Sequence, residues 1–184
     1  HATHMTPDEL QRLAASGAVA GLCPITEANL GDGVFPAARY LAQGGVFGVG
    51  SDSNVRIDAA EELRLLEYGQ RLTERGRNVL AAEPGASTGG SIYRGALAGG
   101  MQALGVGSVG LVEGASADFV TLDACHPDIA GRSGDTILDA LIFAGVRSPK
   151  DVWRGGRQVV ADGRHLKRGD ISRRYRQTLD RLLA

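Results

Sequence analysis

Two short, almost entirely apolar segments constrain the fold of this chain more than any other feature of its sequence. Residues 18–23 and 46–50 are too short for buried helices and lack the polar alternation of a half-buried strand, which predicts strands covered on both faces. A turn-rich segment and then a helical pattern follow each of them. Because alternating strands and helices are typical of a parallel sheet or barrel segment, we predict an α/β fold.

The helix signals around these strands are local. Thr6, Pro7 and Glu9 combine a capping box with proline at the first helical position, so a helix is expected from residue 7 to about residue 16. Residues 24–33 are rich in Gly, Asn and Asp and are interpreted as a loop. Further helices are predicted over 36–44, 58–75 and 88–104.

After Gly105 the pattern changes to short, closely spaced strands. They are predicted over 109–112, 119–122, 152–154 and 158–161. Gly155 and Gly156 separate the last two strands and are typical of a hairpin, which implies a second, smaller sheet. A final amphipathic helix has an apolar stripe that includes Ile171 and Tyr175, and we interpret the basic residues between 164 and 176 as the solvated face of a docked helix.

Charge and composition argue against several classes of partner. Twenty Lys and Arg against 21 Asp and Glu give a net charge of -1, which offers no electrostatic footprint for nucleic acid or an acidic membrane surface. No apolar run approaches the ~20 residues that a spanning helix needs. Cys23 and Cys125 form no CxxC pair, so we expect a reducing compartment and no disulfide framework. Because the sequence does not begin with Met, we expect it to start within a longer polypeptide.

Asp52 is the first candidate for chemistry, because it follows directly after the second predicted strand. Sheets and barrels of the α/β class place their functional groups at that end of their strands. A carboxylate there can ligate a metal or accept a proton; alternatively, it caps the following loop by accepting backbone N–H groups. His1 and His4 are spaced so that two imidazoles can meet at one point, the alternative being that both are solvated.

Several stretches together carry a family resemblance. Residues 21–24 (GLCP), 27–33 (EANLGDG) and 48–53 (GVGSDS) resemble strands seven and eight of the deaminase branch of the amidohydrolase superfamily. Within that branch, residues 61–72 are most similar to the deiminases that act on N-formimino-L-glutamate in histidine degradation. Residues 114–120 and 156–164 resemble the segments that return such chains into a small β-sandwich. The likeness spans nearly all of the sequence.

The resemblance implies an architecture in two parts. Residues 1–104 would be the C-terminal segment of a (β/α)8 barrel, and residues 105–184 would contribute strands of a small β-sandwich and a C-terminal helix. Because a closed barrel of this type takes about 250 residues, the remaining strands are expected upstream of this chain.

The resemblance also implies a zinc-dependent hydrolase that converts N-formimino-L-glutamate and water to N-formyl-L-glutamate and ammonia. Asp52 would bind the zinc and accept a proton from the attacking water, and His1, or less closely His4, would hydrogen-bond that water. Asn54 departs from the family pattern, in which a histidine follows Ser-Asp-Ser. The other zinc ligands and most substrate contacts are expected upstream, so the isolated chain is expected to lack stoichiometric zinc and activity.

The remaining implications concern partners and alternatives. The resemblance implies a cytoplasmic enzyme with a small-molecule substrate that is a homodimer at full length. One alternative is another deaminase of the superfamily, acting on an aminopurine or an S-adenosylhomocysteine-like compound. The other is a noncatalytic scaffold in which Asp52 only caps a loop.

Overall fold

The computed structural model describes residues 1–107, 110–145 and 149–184, which form seven helices and six strands. The helices are α1 (Pro7–Ala15), α2 (Pro24–Leu30), α3 (Ala37–Ala42), α4 (Ala59–Glu74), α5 (Thr88–Ala103), α6 (Thr136–Asp139, continued by a π-helical turn over Ala140–Ala144) and α7 (Arg168–Leu183). The strands are β1 (Val19–Leu22), β2 (Val46–Val49), β3 (Phe119–Thr121), β4 (Asp151–Arg154), β5 (Arg157–Ala161) and β6 (Arg164–His165). The mixed α/β class predicted from the sequence is confirmed.

The two N-terminal strands form a parallel sheet, with Val19 opposite Val46 and Leu22 opposite Val49. Helix α5 packs directly on β2. A Cβ atom at Gly99 would lie 2.0 Å from the carbonyl oxygen of Phe47, so only glycine fits at that position. The parallel register places the carboxyl ends of both strands next to each other.

The predicted coverage of both strand faces is wrong for β1. Ala20 and Leu22 are buried in the main apolar cluster of the chain, whereas Gly21 is exposed. Alternate residues of a strand point to opposite faces, so the described residues cover one face of β1 and leave the other open. Phe47 of β2 and Ile92 of α5 belong to the same cluster.

The segment that the sequence analysis interpreted as a loop contains helix α2. Pro24 occupies its first turn, and Gly31, with a φ of +73°, ends it in the left-handed region. Proline at the start and glycine just past the end are ordinary helix boundaries. The high content of Gly, Asn and Asp therefore marks the end of a short helix and not a loop throughout.

The four C-terminal strands form an antiparallel sheet in the order β3-β4-β5-β6. The predicted hairpin is confirmed, since Gly155 and Gly156 connect β4 to β5 with φ angles of +54° and +73°. The strand predicted over 109–112 is wrong for residues 110–112, which form bends; residue 109 lies outside the described residues.

Helix α7 follows this sheet. Its basic residues are exposed as predicted, but Ile171, Tyr175 and Leu182 of its apolar stripe are exposed as well, so the described residues do not dock it. In the portion of the chain that the structure describes, no helix has the length and apolar character needed to cross a membrane.

Candidate active site

The start of α2, which follows β1, and the loop that follows β2 lie side by side at the carboxyl ends of the two strands. The amide of Gly50 donates to the carbonyl of Leu22 at 2.9 Å and continues the strand pairing by one residue beyond β2. Beyond it, the Oγ1 atom of Thr26 lies 2.9 Å from the Oγ atom of Ser53 and 3.4 Å from the carbonyl oxygen of Ser51. These contacts join the start of α2 to the turn that carries Asp52.

Asp52 sits in a strained turn with its carboxylate half exposed. Its φ of +45° and the +56° of Asn54 lie in the left-handed region, which few residues other than glycine adopt and which Asn and Asp tolerate best. The Ser51 hydroxyl donates to Asn54 Oδ1 at 2.9 Å, and the Asn54 amide donates to the Ser51 carbonyl at 3.1 Å. Within the described residues, this turn is closed without the Asp52 carboxylate, which argues against a capping role. Asn54 thus closes the turn.

The structure brings His1 next to Asp52. The Nε2 atom of His1 lies 3.5 Å from Asp52 Oδ2, and its Nδ1 atom lies 3.2 Å from Glu27 Oε1. The backbone nitrogen of His1 donates to the carbonyl of Gly21 in β1 at 2.7 Å. His4 is exposed, and no contact found in the described part of the chain joins it to Asp52. Of the two predicted histidines, the geometry pairs only His1 with the carboxylate.

Glu27 is a member of this cluster that the sequence analysis did not single out as a site residue. It lies in the first turn of α2, is only 4% exposed, and accepts the Cys23 amide through Oε1 at 2.8 Å. Burial raises the pKa of the Glu27 carboxyl, and the hydrogen bond from Cys23 acts in the opposite direction. The signal in the sequence was Pro24 directly after a strand, which starts a helix and places Glu27 in its first turn.

A second buried carboxylate, that of Glu62, contacts the first turn of α2. Glu62 on α4 accepts the Ile25 amide through Oε2 at 2.8 Å, while its Oε1 atom is buried without a hydrogen-bond partner in the described part of the chain. Burial raises the pKa of Glu62, and it also raises the pKa of the nearby Cys23 thiol. Two carboxylates therefore hold the first turn of α2, at the end of the helix dipole that favours negative charge.

The side chains of Asp52 and His1 offer atoms that could line one side of a divalent-metal site. Carboxylate oxygens and imidazole nitrogens are common zinc ligands, and Asp52 and His1 present one of each to the same space. Across residues 1–107, 110–145 and 149–184, no group of three or more His, Cys, Asp or Glu side chains is arranged to hold a metal. An imidazole flanked by two carboxylates can also accept and return a proton, which is the requirement for general acid–base chemistry.

Comparison with known proteins identifies the family. The amidohydrolase family model matches residues 1–159. The chain belongs to the amidohydrolase family. It is 50% identical over 184 residues to formimidoylglutamate deiminase from Pseudomonas aeruginosa, a match that covers 100% of this chain and 41% of that relative. A 5-methylthioadenosine/S-adenosylhomocysteine deaminase from Haloquadratum walsbyi is 32% identical over 98% of this chain and 37% of its own length.

Solved structures of similar proteins have the same fold. An amidohydrolase from Brucella melitensis superposes with a TM-score of 0.94 and 52% identity over 100% of this chain and 40% of its own. An adenosine deaminase from Xanthomonas campestris with bound zinc superposes with a TM-score of 0.81 and 24% identity over 98% of this chain and 41% of its own. This amidohydrolase chain thus spans about two fifths of the length of the relatives it matches.

Proposed function

We propose that this chain is the C-terminal part of a hydrolase that converts N-formimino-L-glutamate and water to N-formyl-L-glutamate and ammonia. The observation that carries the proposal is the 50% identity to formimidoylglutamate deiminase over all 184 residues. The identity to the S-adenosylhomocysteine deaminase of Haloquadratum walsbyi is 32% over a similar stretch, which makes a purine-type substrate the second candidate.

We further propose that residues 1–104 are the last strands and helices of a (β/α)8 barrel and that residues 105–184 belong to a small β-sandwich followed by a helix. The parallel pairing of β1 and β2 and the antiparallel order of β3 to β6 support this division. The remaining zinc ligands and the groups that bind the substrate carboxylates would then lie in the part of the enzyme that corresponds to the unmatched length of its relatives. A cytoplasmic location and a homodimer remain predictions for the full-length enzyme.

In this proposal Asp52 transfers the protons of the reaction and His1 orients the attacking water. The chemistry that a divalent zinc supplies at such a site is a lowered pKa of water, which makes hydroxide accessible near neutral pH. Asp52, at the strand end, would hold the metal, take up the proton of the attacking water and return it to the departing nitrogen. His1 Nε2 faces the same space and would hydrogen-bond that water, orienting it toward the formimino carbon.

The test is ammonia release by the full-length protein supplied with zinc. We expect turnover of N-formimino-L-glutamate, and none of guanine or S-adenosylhomocysteine at the same concentration. Release from either purine compound without release from N-formimino-L-glutamate would favour the second candidate, and no release from any of the three would support the scaffold alternative.

The isolated chain provides a second test, of the incomplete metal site. We expect the 184-residue chain to bind no stoichiometric zinc and to release no ammonia, because Asp52 is one ligand and a catalytic zinc normally has three protein ligands. Metal analysis that found one tightly held zinc per chain would contradict this expectation.

A further inference from the structure

We propose that Glu27 is a positioning residue that holds the His1 imidazole with its proton on Nδ1 and so leaves Nε2 available to the water or substrate. This inference rests on the proposed function, because it assigns Glu27 a role through His1 in that reaction. It concerns the orientation of the ring and the identity of its tautomer.

The geometry separates the two nitrogens of the His1 ring. Nδ1 lies 3.2 Å from Glu27 Oε1, whereas Nε2 lies 3.5 Å from Asp52 Oδ2, beyond the usual range of an N–H···O bond. An ionised carboxylate only accepts hydrogen bonds, so when Glu27 is ionised the ring nitrogen that it contacts carries a proton. In a neutral imidazole the other nitrogen then presents a lone pair beside the half-exposed carboxylate of Asp52; these two acceptors do not bond to each other, so each can accept from a water O–H.

Glu27 is well placed to orient another side chain because it is itself held firmly. Its Oε1 atom accepts the Cys23 amide at 2.8 Å, so the carboxylate is bound at the start of the helix that carries it. The same turn is tied to α4 through Glu62 and to the Asp52 loop through Thr26. A buried, hydrogen-bonded carboxylate behind an imidazole is a recurrent way to fix its tautomer and ring plane in catalytic and metal sites.

The competing explanation is that Glu27 only stabilises the first turn of α2 through the Cys23 amide. A double-mutant cycle in the full-length enzyme separates the two roles. We expect Glu27→Ala to lower kcat about 10- to 100-fold with little change in KM, and Glu27→Gln, which keeps an acceptor oxygen, to restore kcat to within about fivefold of the wild type. In a His1→Ala background, Glu27→Ala should then lower kcat by less than about twofold, because the residue it acts through is already absent.

Glu62→Ala is the matched control. It removes the other buried carboxylate at the start of α2, where Glu62 accepts the Ile25 amide. Any loss of kcat that Glu62→Ala causes should be the same in the wild-type and His1→Ala backgrounds. An equal loss of kcat for Glu27→Ala in both backgrounds would assign Glu27 the same structural role and overturn the proposal. If Glu27→Ala fails to fold, Glu27→Leu replaces it in the cycle.

A second measurement does not depend on turnover. The ¹⁵N chemical shifts of His1 in the metal-free full-length protein, assigned by difference from His1→Ala, report which ring nitrogen carries the proton. We expect protonated Nδ1 in the wild type and in Glu27→Gln, and a shift toward protonated Nε2 in Glu27→Ala. A wild-type ring protonated on Nε2 alone would overturn the proposal. Full activity of His1→Ala would instead overturn the proposed role of His1 in catalysis, so the two failures are distinguishable.

Discussion

The two sheets of this chain are supported in very different ways. Around β1 and β2, apolar side chains from five helices form one continuous buried cluster. Around β3 to β6, the buried cluster that the described residues form consists of Ile129 and Ala140, and the apolar stripe of α7 is exposed. The difference shows that the main core of the chain lies around the parallel sheet, and this is the region that positions the candidate active site.

The buried polar side chains follow the same division. Helix α4 carries three of them, and each binds the backbone of a different connecting segment. Glu62 accepts an amide at the start of α2, Glu67 accepts the amides of residues 79 and 80, and Gln70 donates to the carbonyl of Phe35. Because a buried carboxylate or amide costs free energy unless it is hydrogen-bonded, these contacts specify where the connecting segments lie. Helix α4 therefore organises the loops around the parallel sheet.

The largest expected contrast between the two regions is in activity. Asp52→Ala in the full-length enzyme should lower kcat/KM by about 10³-fold or more, or about 4 kcal/mol of transition-state stabilisation. The free energy of unfolding should fall by no more than the about 1–2 kcal/mol of backbone strain that alanine adds at a φ of +45°, because the carboxylate is 46% exposed and the turn is closed by Ser51 and Asn54. Asp180→Ala, at an exposed aspartate of α7, is the control and should change neither quantity. Turnover of Asp52→Ala within twofold of the wild type would refute a role for this carboxylate in catalysis.

A matched pair of leucine substitutions tests whether the cores differ as described. In the 184-residue chain, Leu22→Ala should lower the free energy of unfolding by about 2–5 kcal/mol, since Leu22 is 0% exposed in the main cluster. Leu182→Ala should change it by less than about 0.5 kcal/mol, because Leu182 is 75% exposed on α7. Urea denaturation measures both values, and equal losses for the two variants would remove the distinction between the regions.

The buried carboxylate of Glu62 predicts a pH-dependent difference confined to the N-terminal region. Burial raises its pKa above the ordinary 4.5, so the folded state binds this proton more tightly than the unfolded state. Its contribution to stability is therefore complete below about pH 4.5 and is lost as the pH rises through the folded-state pKa. Glu62→Gln cannot ionise, so its stability relative to the wild type should increase from pH 4.5 to pH 7.5. Denaturation curves measure the free energy of unfolding of both proteins at each pH. A difference between them that stays constant from pH 4.5 to pH 7.5 would contradict a raised pKa for Glu62.

The smallest expected effect concerns an ion pair that joins the two regions. Arg94 on α5 donates to both carboxylate oxygens of Asp135 at 2.8 and 2.7 Å, but more than half of its side chain is exposed. Arg94→Ala should therefore lower the free energy of unfolding by at most about 1 kcal/mol. The control, Arg176→Ala on the exposed face of α7, should change it by less than about 0.5 kcal/mol. A loss above about 2 kcal/mol for Arg94→Ala would show that the regions depend on each other more than their cores suggest.

The features that the sequence predicted correctly are those with strong local signals. The capping box of α1, the two apolar strands and the Gly155-Gly156 hairpin are all present in the structure. The resemblance implies site roles for His1 and Asp52; the structure places His1 Nε2 3.5 Å from Asp52 Oδ2, and the roles themselves stay predictions.

The missed features depend on tertiary contacts. Glu62 and Glu67 lie on a charged helix whose polar positions are indistinguishable from a solvated face in the sequence. They are buried because loops distant in sequence supply backbone amides for them. The sequence did not identify Glu27 as a site residue for the same reason, since its partner His1 is 26 residues away. The exposed stripe of α7 was expected to be covered, because amphipathicity predicts a buried face without specifying what buries it.

The left-handed backbone of Asp52 restricts how this amidohydrolase can be engineered. If the Asp52 carboxylate binds zinc as proposed, a change of metal preference would exchange this side chain for another ligand such as histidine, glutamate or cysteine. At a φ of +45°, however, most L-residues add about 1–2 kcal/mol of backbone strain, whereas Asn and Gly are tolerated. A substitution library at this position should therefore also vary the neighbouring residues of the turn, so that a new ligand can adopt a relaxed backbone conformation.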